Sequence, residues 1–369
     1  MKIKRILKWT ATSILLLLVL WGFIAYWTST NDCGRNTSAP TNPMKAVVYC
    51  DYGPANVRID EVEKPSPTDN QILVKVRAVS VNPLDWHYIE GTPYVMRMQV
   101  GLRKPKDTRL GVDYSGTVET VGKNVTNFKP GDDVFGGRNG AFAEYVCARA
   151  DRAVALKPAS VTFEQAASVP IAAITALQAL RDKGAVQAGQ KVLINGASGG
   201  VGTFAVQIAK SLGADVTGVC STRNLDLVKS LGADRVIDYT KEDFTKSPER
   251  YDVLVDNVAN RSLSECRRVI KPNGRYVLVG GGGPNDQGLI GPLARPVKAK
   301  VLSWFVSQRM GMVFAELNHN DMAELADLMQ AGKVTPVIDR TYKLSQILDA
   351  IRYLEEGHAR GKVILTVTQ

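Results

Sequence analysis

The chain predicts an α/β protein built around a doubly wound parallel sheet, and three observations carry that expectation. Between about residues 189 and 280, short apolar runs alternate with segments of helical period. The runs show no in/out alternation, as expected of parallel strands covered on both faces. A glycine-rich turn joins the first run to the first helix, the strand–turn–helix order of a nucleotide-binding α/β unit.

The runs Lys191–Asn195, Asp215–Cys220, Arg235–Asp238, Asp252–Asp256 and Arg275–Val279 read as buried strands. Phe204, Ile208 and Leu212 form an i, i+4, i+8 stripe on the helix after the first strand, and Gly213 ends it. Asn224–Leu231 followed by Gly232 repeats the device. Ahead of this unit, residues 44–160 hold β-rich runs such as Ile72–Ala78 and Tyr114–Val121, punctuated by Gly and Pro. Thr162-Phe163-Glu164-Gln165 is a capping-box signature for the helix leading into the middle of the chain.

The turn is Gly196-Ala197-Ser198-Gly199-Gly200-Val201-Gly202. Residues this small let backbone N–H groups and a helix N-terminus approach a pyrophosphate. The GxxGxxG spacing is not the usual dinucleotide form, and the strand and helix around it carry the reading. At the end of the second strand an NAD site wants Asp or Glu for the ribose hydroxyls. Here Ser221, Thr222 and Arg223 stand instead, with Asp226 further on. Hydroxyls and a guanidinium suit a 2′-phosphate, so the expected coenzyme is NADPH.

Composition bounds the rest. A chain of 369 residues suits about two domains, and 45% hydrophobic with 22% charged residues is ordinary for a globular protein. The net charge of +10 lacks the clustering of a nucleic-acid surface, so no nucleic-acid partner is expected. Cys33, Cys50, Cys147, Cys220 and Cys266 form no CxxC pair and are odd in number, so reduced thiols are expected. With only His87, His319 and His358 beside them, no metal site is expected.

The N-terminus is a different kind of sequence. Trp9–Trp27 carries no charged residue and as a helix spans about 28 Å, close to a bilayer's apolar thickness. Residues 1–30 are expected to be a single-pass membrane anchor, with a cleaved signal peptide or a core helix as alternatives. Lys2, Lys4, Arg5 and Lys8 before the span put the main domain outside the cytosol, whereas a reduced nicotinamide is plentiful inside it. The side of the membrane stays open. The polar residues 31–43 read as a linker, and Asn36-Thr37-Ser38 is an acceptor sequon.

Gly189-Gln190, Leu193, Ala197-Ser198-Gly199-Gly200, Gly202, Gln207 and Lys210 stand at the spacing of a long signature. With them go SVNPLDW (80–86), GVDYSGTVETVG (111–122), FKPGDDVFG (128–136), AFAEYV (141–146) and ARGKVIL (359–365). In these the chain resembles the quinone oxidoreductase/zeta-crystallin branch of the medium-chain dehydrogenases/reductases. The resemblance implies a GroES-like β domain made by both ends of the chain, residues 44–165 and 305–369, around a Rossmann domain at 166–304. It puts Asn82 near the nicotinamide and Thr175, Tyr239, Asn257, Val279, Gly280 and Gly281 along the coenzyme. It also implies a homodimer. Zinc-bearing relatives place Cys where this chain has Asn82-Pro83-Leu84-Asp85, and His where it has Val112. A zinc-independent enzyme is therefore implied.

Without a metal, the simplest chemistry is hydride transfer from NADPH to an already electrophilic carbon, in a quinone or an α,β-unsaturated carbonyl compound. Tyr88 is the candidate donor near the substrate and Asp85 orients its loop, although Tyr88 also reads as an ordinary packed aromatic. A non-catalytic NADPH-binding scaffold or sensor at a membrane is the alternative. The basic and aromatic segment Leu289–Met312 reads either as a membrane-surface patch or as a dimer-edge strand with its connection.

Overall fold

The computed structural model describes residues 39–280 and 294–367, together with Leu20, Gly22, Phe23, Tyr26, Trp27, Thr30, Asn31 and Cys33. Its centre is a six-stranded sheet in the order Arg235–Asp238, Asp215–Cys220, Lys191–Asn195, Tyr251–Asp256, Ile270–Leu278, Arg309–Met312. Every neighbouring pair is parallel. Numbered along the chain within this sheet, the order is that of a Rossmann domain. The order in which strands are added reverses between Lys191–Asn195 and Tyr251–Asp256, the point where such sheets bind ligands.

The sheet explains why its strands look uniformly apolar. Val192, Ile194, Val253 and Val255 bury on one face with Phe204 and Ile208, while Leu193, Val219 and Leu254 bury on the other with Cys266 and Tyr276. Strand residues alternate between faces, and helices cover both, so neither face needs polar residues.

The second unit is a seven-stranded sheet. Its main path runs Ile338–Lys343, Lys362–Thr366, Gln71–Val81, Asp113–Val121, Asp133–Gly137, Val154–Leu156, and Tyr145–Arg149 also pairs with Gln71–Val81. Both ends of the chain therefore meet in one sheet, because Lys362–Thr366 lies antiparallel to Gln71–Val81. Pro43–Tyr49 and Val57–Glu63 make a separate antiparallel pair. The capping box forms as read: Gln165 N–H donates to Thr162 Oγ1 (3.2 Å) and Thr162 N–H to Gln165 Oε1 (3.0 Å).

Three expectations are corrected. The unit containing the parallel sheet does not end at 304. Strand Arg309–Met312 closes its edge, and helix His319–Gln330 adds Met322, Leu325 and Met329 to its core. The C-terminal share of the β unit is thus confined to later strands. Second, Cys33 and Cys50 form a disulfide, with Cα atoms 5.7 Å apart. The chain folds back after Asn31, whose amide donates to Cys50 O (2.7 Å), so two cysteines that looked unrelated in sequence meet. Cys147, Cys220 and Cys266 are free and buried. Third, the single-pass membrane placement is overturned: among the described residues no helix is long and apolar enough to cross a membrane. Most of the stretch Trp9–Trp27 lies outside the described residues.

Candidate active site

The glycine turn sits at the sheet's reversal point. Gly196 takes a left-handed φ of 80°, and Cβ atoms at Gly196 and Gly202 would come within 2.7 Å of Val258 Cγ2 and 2.0 Å of Gly196 O. Side chains are excluded there by the turn's own packing. The amides of Gly196 and Ala197 both donate to Val219 O, and that of Gly199 to Gly196 O. The helix Gly200–Ser211 starts without a side-chain cap, and its first i→i−4 bond runs from Thr203 N–H to Gly199 O (3.0 Å). The amides of Gly200, Val201 and Gly202 therefore have no helical acceptor, which is the condition for holding an anion at a helix N-terminus.

Ser198 joins the end of the second strand through Asn224, whose amide donates to Ser198 Oγ (2.9 Å) and Ser221 Oγ (3.2 Å). Asn224 Oδ1 is buried with no partner. Thr222 is less available than its sequence position implies, because its hydroxyl donates to Asp238 Oδ2 (2.6 Å) and meets Thr240. Arg223 reaches across to the C-terminal segment, donating to His358 O (2.8 Å), and Arg360 Nη2 lies 3.4 Å from Arg223 O. Two guanidinium side chains thus come from distant parts of the chain to one end of the turn. Arg360 was not expected, since it precedes a strand far from Arg223 in sequence.

Across the reversal point, Asn257 donates to Asn195 O (2.9 Å), and its Oδ1 is buried without a partner. Such an acceptor suits a ribose hydroxyl or a carboxamide N–H. Val279 and Gly280 follow the next strand, with Val279 N–H bonded to Asp256 O and Gly280 packed by Asn257 O. Gly281 lies outside the described residues. Tyr239 is exposed at the end of the third strand. Thr175 is buried, and its hydroxyl is taken by Ile171 O (2.6 Å) of its own helix. Small turn residues, free amides, guanidinium groups and orphaned acceptors together fit a dinucleotide with a 2′-phosphate.

The expected catalytic loop begins a helix, Pro83–Glu90. Asp85 Oδ2 accepts the Asn82 backbone N–H (2.7 Å), which frees the Asn82 side chain to point elsewhere. Its amide donates to Asp113 Oδ2 (2.9 Å), and its carbonyl accepts from Lys362 Nζ (2.5 Å). Lys362 is 3% exposed and lies 3.8 Å from Asp113 Oδ2. Asp113 Oδ1 also accepts the Ile171 N–H (3.0 Å). The Lys362 stem runs over Gly200, where a Cβ would come 3.1 Å from its Cδ. This buried group links both chain ends to the glycine turn. Asp113 and Lys362 were missed, although both sit inside stretches that carry the resemblance.

Burial pushes Asp85 up to about 7, with Asp113 adding repulsion. It pushes Asp113 up to about 6, against the pull of Lys362, and moves Lys362 below the usual lysine range. Asp85 Oδ1 has no partner. Tyr88, a turn beyond Asp85, makes no hydrogen bond to it. Tyr88 instead lines a cavity of about 150 Å³ with Tyr49, Lys106, Arg109, Gly111 and Asn139. Burial raises the Tyr88 phenol, and Asp85 raises it further.

Two family models match the chain, the alcohol dehydrogenase GroES-like domain over residues 68–158 and zinc-binding dehydrogenase over 231–365. Mouse (Mus musculus) NAD(P)H oxidoreductase RTN4IP1, mitochondrial, is 35% identical over 90% of this chain and 91% of its own length. Quinone-oxidoreductase QR1, chloroplastic, of Triphysaria versicolor is 33% identical over 87% and 98%. The solved quinone oxidoreductase from Coxiella burnetii superposes with a TM-score of 0.76 at 31% identity, covering 89% of this chain and 100% of that one. The chain belongs to the medium-chain dehydrogenase/reductase family, in its quinone oxidoreductase branch. It is an NADPH-dependent oxidoreductase.

The zinc in one model's name does not describe the residues here. Among the described residues, no group of three or more His, Cys, Asp or Glu is arranged to hold a metal ion. In the segment Asn82–Asp85, where the resemblance puts a ligand of zinc-bearing relatives, Asn82 is bonded to a buried ammonium. A divalent cation placed there would face like charge in a poorly hydrated site.

The raised Asp85 gives a stability prediction. The folded state holds its proton between about pH 4 and 7 while the unfolded state does not, so wild-type stability falls as pH rises through about 7. Thermal melts of Asp85→Asn should lose less Tm between pH 5 and 8 than wild type. Equal slopes in the two proteins would contradict the assignment.

Proposed function

We propose that the enzyme transfers hydride from NADPH to quinones or α,β-unsaturated carbonyl compounds, without zinc. The observation that carries this reading is the juxtaposition of the glycine turn with the Asn82–Lys362–Asp113 group, which the Lys362 stem joins. When bound, the reduced coenzyme supplies the hydride, and the chain supplies binding, orientation and polarity.

The first-turn amides of Gly200, Val201 and Gly202 hold the diphosphate. Arg223, with Arg360 beside it, holds the 2′-phosphate, and Ser221 and Ser198 line the same end. Asn257 offers its free carbonyl oxygen to a hydroxyl or amide of the coenzyme. Thr175, Tyr239, Val279 and Gly280 complete its wall. Asn82, gripped from two sides, would help hold the nicotinamide end of the coenzyme. Tyr88 and Tyr49 flank the adjoining cavity, and the Tyr88 hydroxyl donates to the carbonyl oxygen on which negative charge develops. The proton that completes the reduction comes from Tyr88 or water. Asp85 positions the helix that carries Tyr88.

The residues at 82–85 and 112, neither the Cys nor the His of zinc-bearing relatives, support that substrate class. A saturated ketone needs strong polarisation of its carbonyl, whereas a quinone or enone accepts hydride at carbon and spreads the resulting charge by conjugation. The relatives named quinone oxidoreductase and 2-methylene-furan-3-one reductase are in keeping with that class. The same reading pairs two copies through the edge strand Arg309–Met312, beside which Trp304 and Phe305 stand exposed.

Two measurements test the reading. NADPH oxidation followed at 340 nm across a quinone and enone panel should exceed background for at least one member. Coenzyme binding without oxidation of any member would favour a scaffold instead. For the coenzyme, Arg223→Glu should raise the Kd for NADPH by about 100-fold, the order expected when a charged pair becomes a repulsion. The Kd for NADH should move far less, and equal changes for both would remove Arg223 from the 2′-phosphate.

A further inference from the structure

The cavity beyond Tyr88 has an uneven charge. The stretch from Arg97 to Arg109 holds Arg97, Arg103, Lys104, Lys106 and Arg109 against a single acid, Asp107. Some of these cations are committed elsewhere. Arg97 donates to Gly91 O and Glu90 O and stacks on Tyr52, and Lys104 pairs with Asp51 at 3.1 Å. Lys106 and Arg109 line the cavity, and among the described residues neither side chain has a carboxylate within 4.0 Å. Asp107 shares the cavity, but its Oδ1 is turned to the Arg109 backbone N–H (3.2 Å).

Arg138, next to Asn139 in sequence, does not itself line the cavity. It is half-buried without an ion-pair partner among the described residues, and Arg109 is close enough to repel it and Asp107 to attract it. Tyr49 and Tyr88 line the same cavity. Lys106 stands at the open rim and Arg109 is half-buried, and two cations at the mouth of one cavity attract an anionic group.

We infer that the enzyme's substrate is a planar conjugated carbonyl compound carrying an anionic group, with its ring or chain between Tyr49 and Tyr88 and its charge on Lys106 and Arg109. This rests on the proposed hydride transfer and narrows its substrate class. Coenzyme phosphates do not account for these cations, because none of the residues proposed to hold those phosphates lines the cavity. The Arg109 backbone bridges Val48, so replacing its side chain leaves that pairing in place.

The test compares a benzalacetone bearing a para-carboxylate with its methyl ester, using full-length protein and saturating NADPH. At low salt the acid should show a kcat/KM about 10-fold above the ester, and the ratio should shrink towards 1 at about 0.5 M salt, as screened attraction requires. Arg109→Ala should lower kcat/KM for the acid by at least about 10-fold more than for the ester, and Arg109→Lys should restore most of the ratio. An acid/ester ratio at or below 1, or equal losses on both in Arg109→Ala, would overturn the inference. So would a matching loss of NADPH affinity, which would give the cations to the coenzyme. If neither compound is reduced, the hydride-transfer reading fails and a binding measurement decides the anion question separately. Calorimetric titration of the saturated para-carboxylate into NADP⁺-loaded protein should then show binding that Arg109→Ala weakens about 10-fold, and no difference between wild type and variant would overturn the inference.

Discussion

Lys362 carries an ammonium group into a place with almost no water, and the molecule is arranged around satisfying it. Asn82 gives it a carbonyl oxygen, Asp113 a carboxylate at 3.8 Å, and Asn82 and Asp113 are bonded to each other. Asp113 also accepts a backbone amide at the start of the helix Pro170–Gln178. Removing one member of such a group leaves a buried charge or polar atom unpaired, typically at several kcal/mol. The C-terminal strand, the N-terminal β unit and the helical layer of the parallel sheet are therefore held in one mutual geometry. The coenzyme turn is part of it, because the Lys362 stem packs over Gly200.

This arrangement separates two tasks. The first-turn amides and the Arg223–Arg360 pair are the groups proposed to hold a dinucleotide. Tyr49, Tyr88, Lys106 and Arg109 line a small cavity, and among the described residues the two cations have no ion-pair partner. The Asn82 side chain is held between an ammonium and a carboxylate, so polarity there is supplied by the chain. That suits reduction of substrates that are electrophilic without a Lewis acid.

Much of the centre was legible in sequence because its signals are local. KVLIN followed by Gly196–Gly202 and an apolar stripe specify strand, turn and helix within a few residues of one another, and Thr162–Gln165 form their box as read. The absence of Asp or Glu after Cys220 likewise sits within one turn. What escaped depends on distant pairing. Lys362 is one ordinary lysine until the strand Lys362–Thr366 aligns with Gln71–Val81 and delivers it to Asn82. Cys33 and Cys50 show no spacing signature, and only the fold-back at Asn31 brings them together. The sheet's last strand, Arg309–Met312, lies in a segment that reads as an edge strand with its connection, but only its pairing with Ile270–Leu278 assigns it to the parallel sheet rather than to the β unit. Thr222 stood at a fitting position, but Asp238 from the neighbouring strand engages its hydroxyl.

The central claim is that Lys362 and Asp113 satisfy one another's charge inside the protein. A double-mutant cycle with Lys362→Met and Asp113→Asn, read by denaturant unfolding at pH 7.5, tests it directly. Each single variant should be markedly destabilised, while the double should lose less than the sum of the two, because it strands neither charge. Strictly additive losses would show that the two groups do not depend on each other, and the account built on them would be wrong.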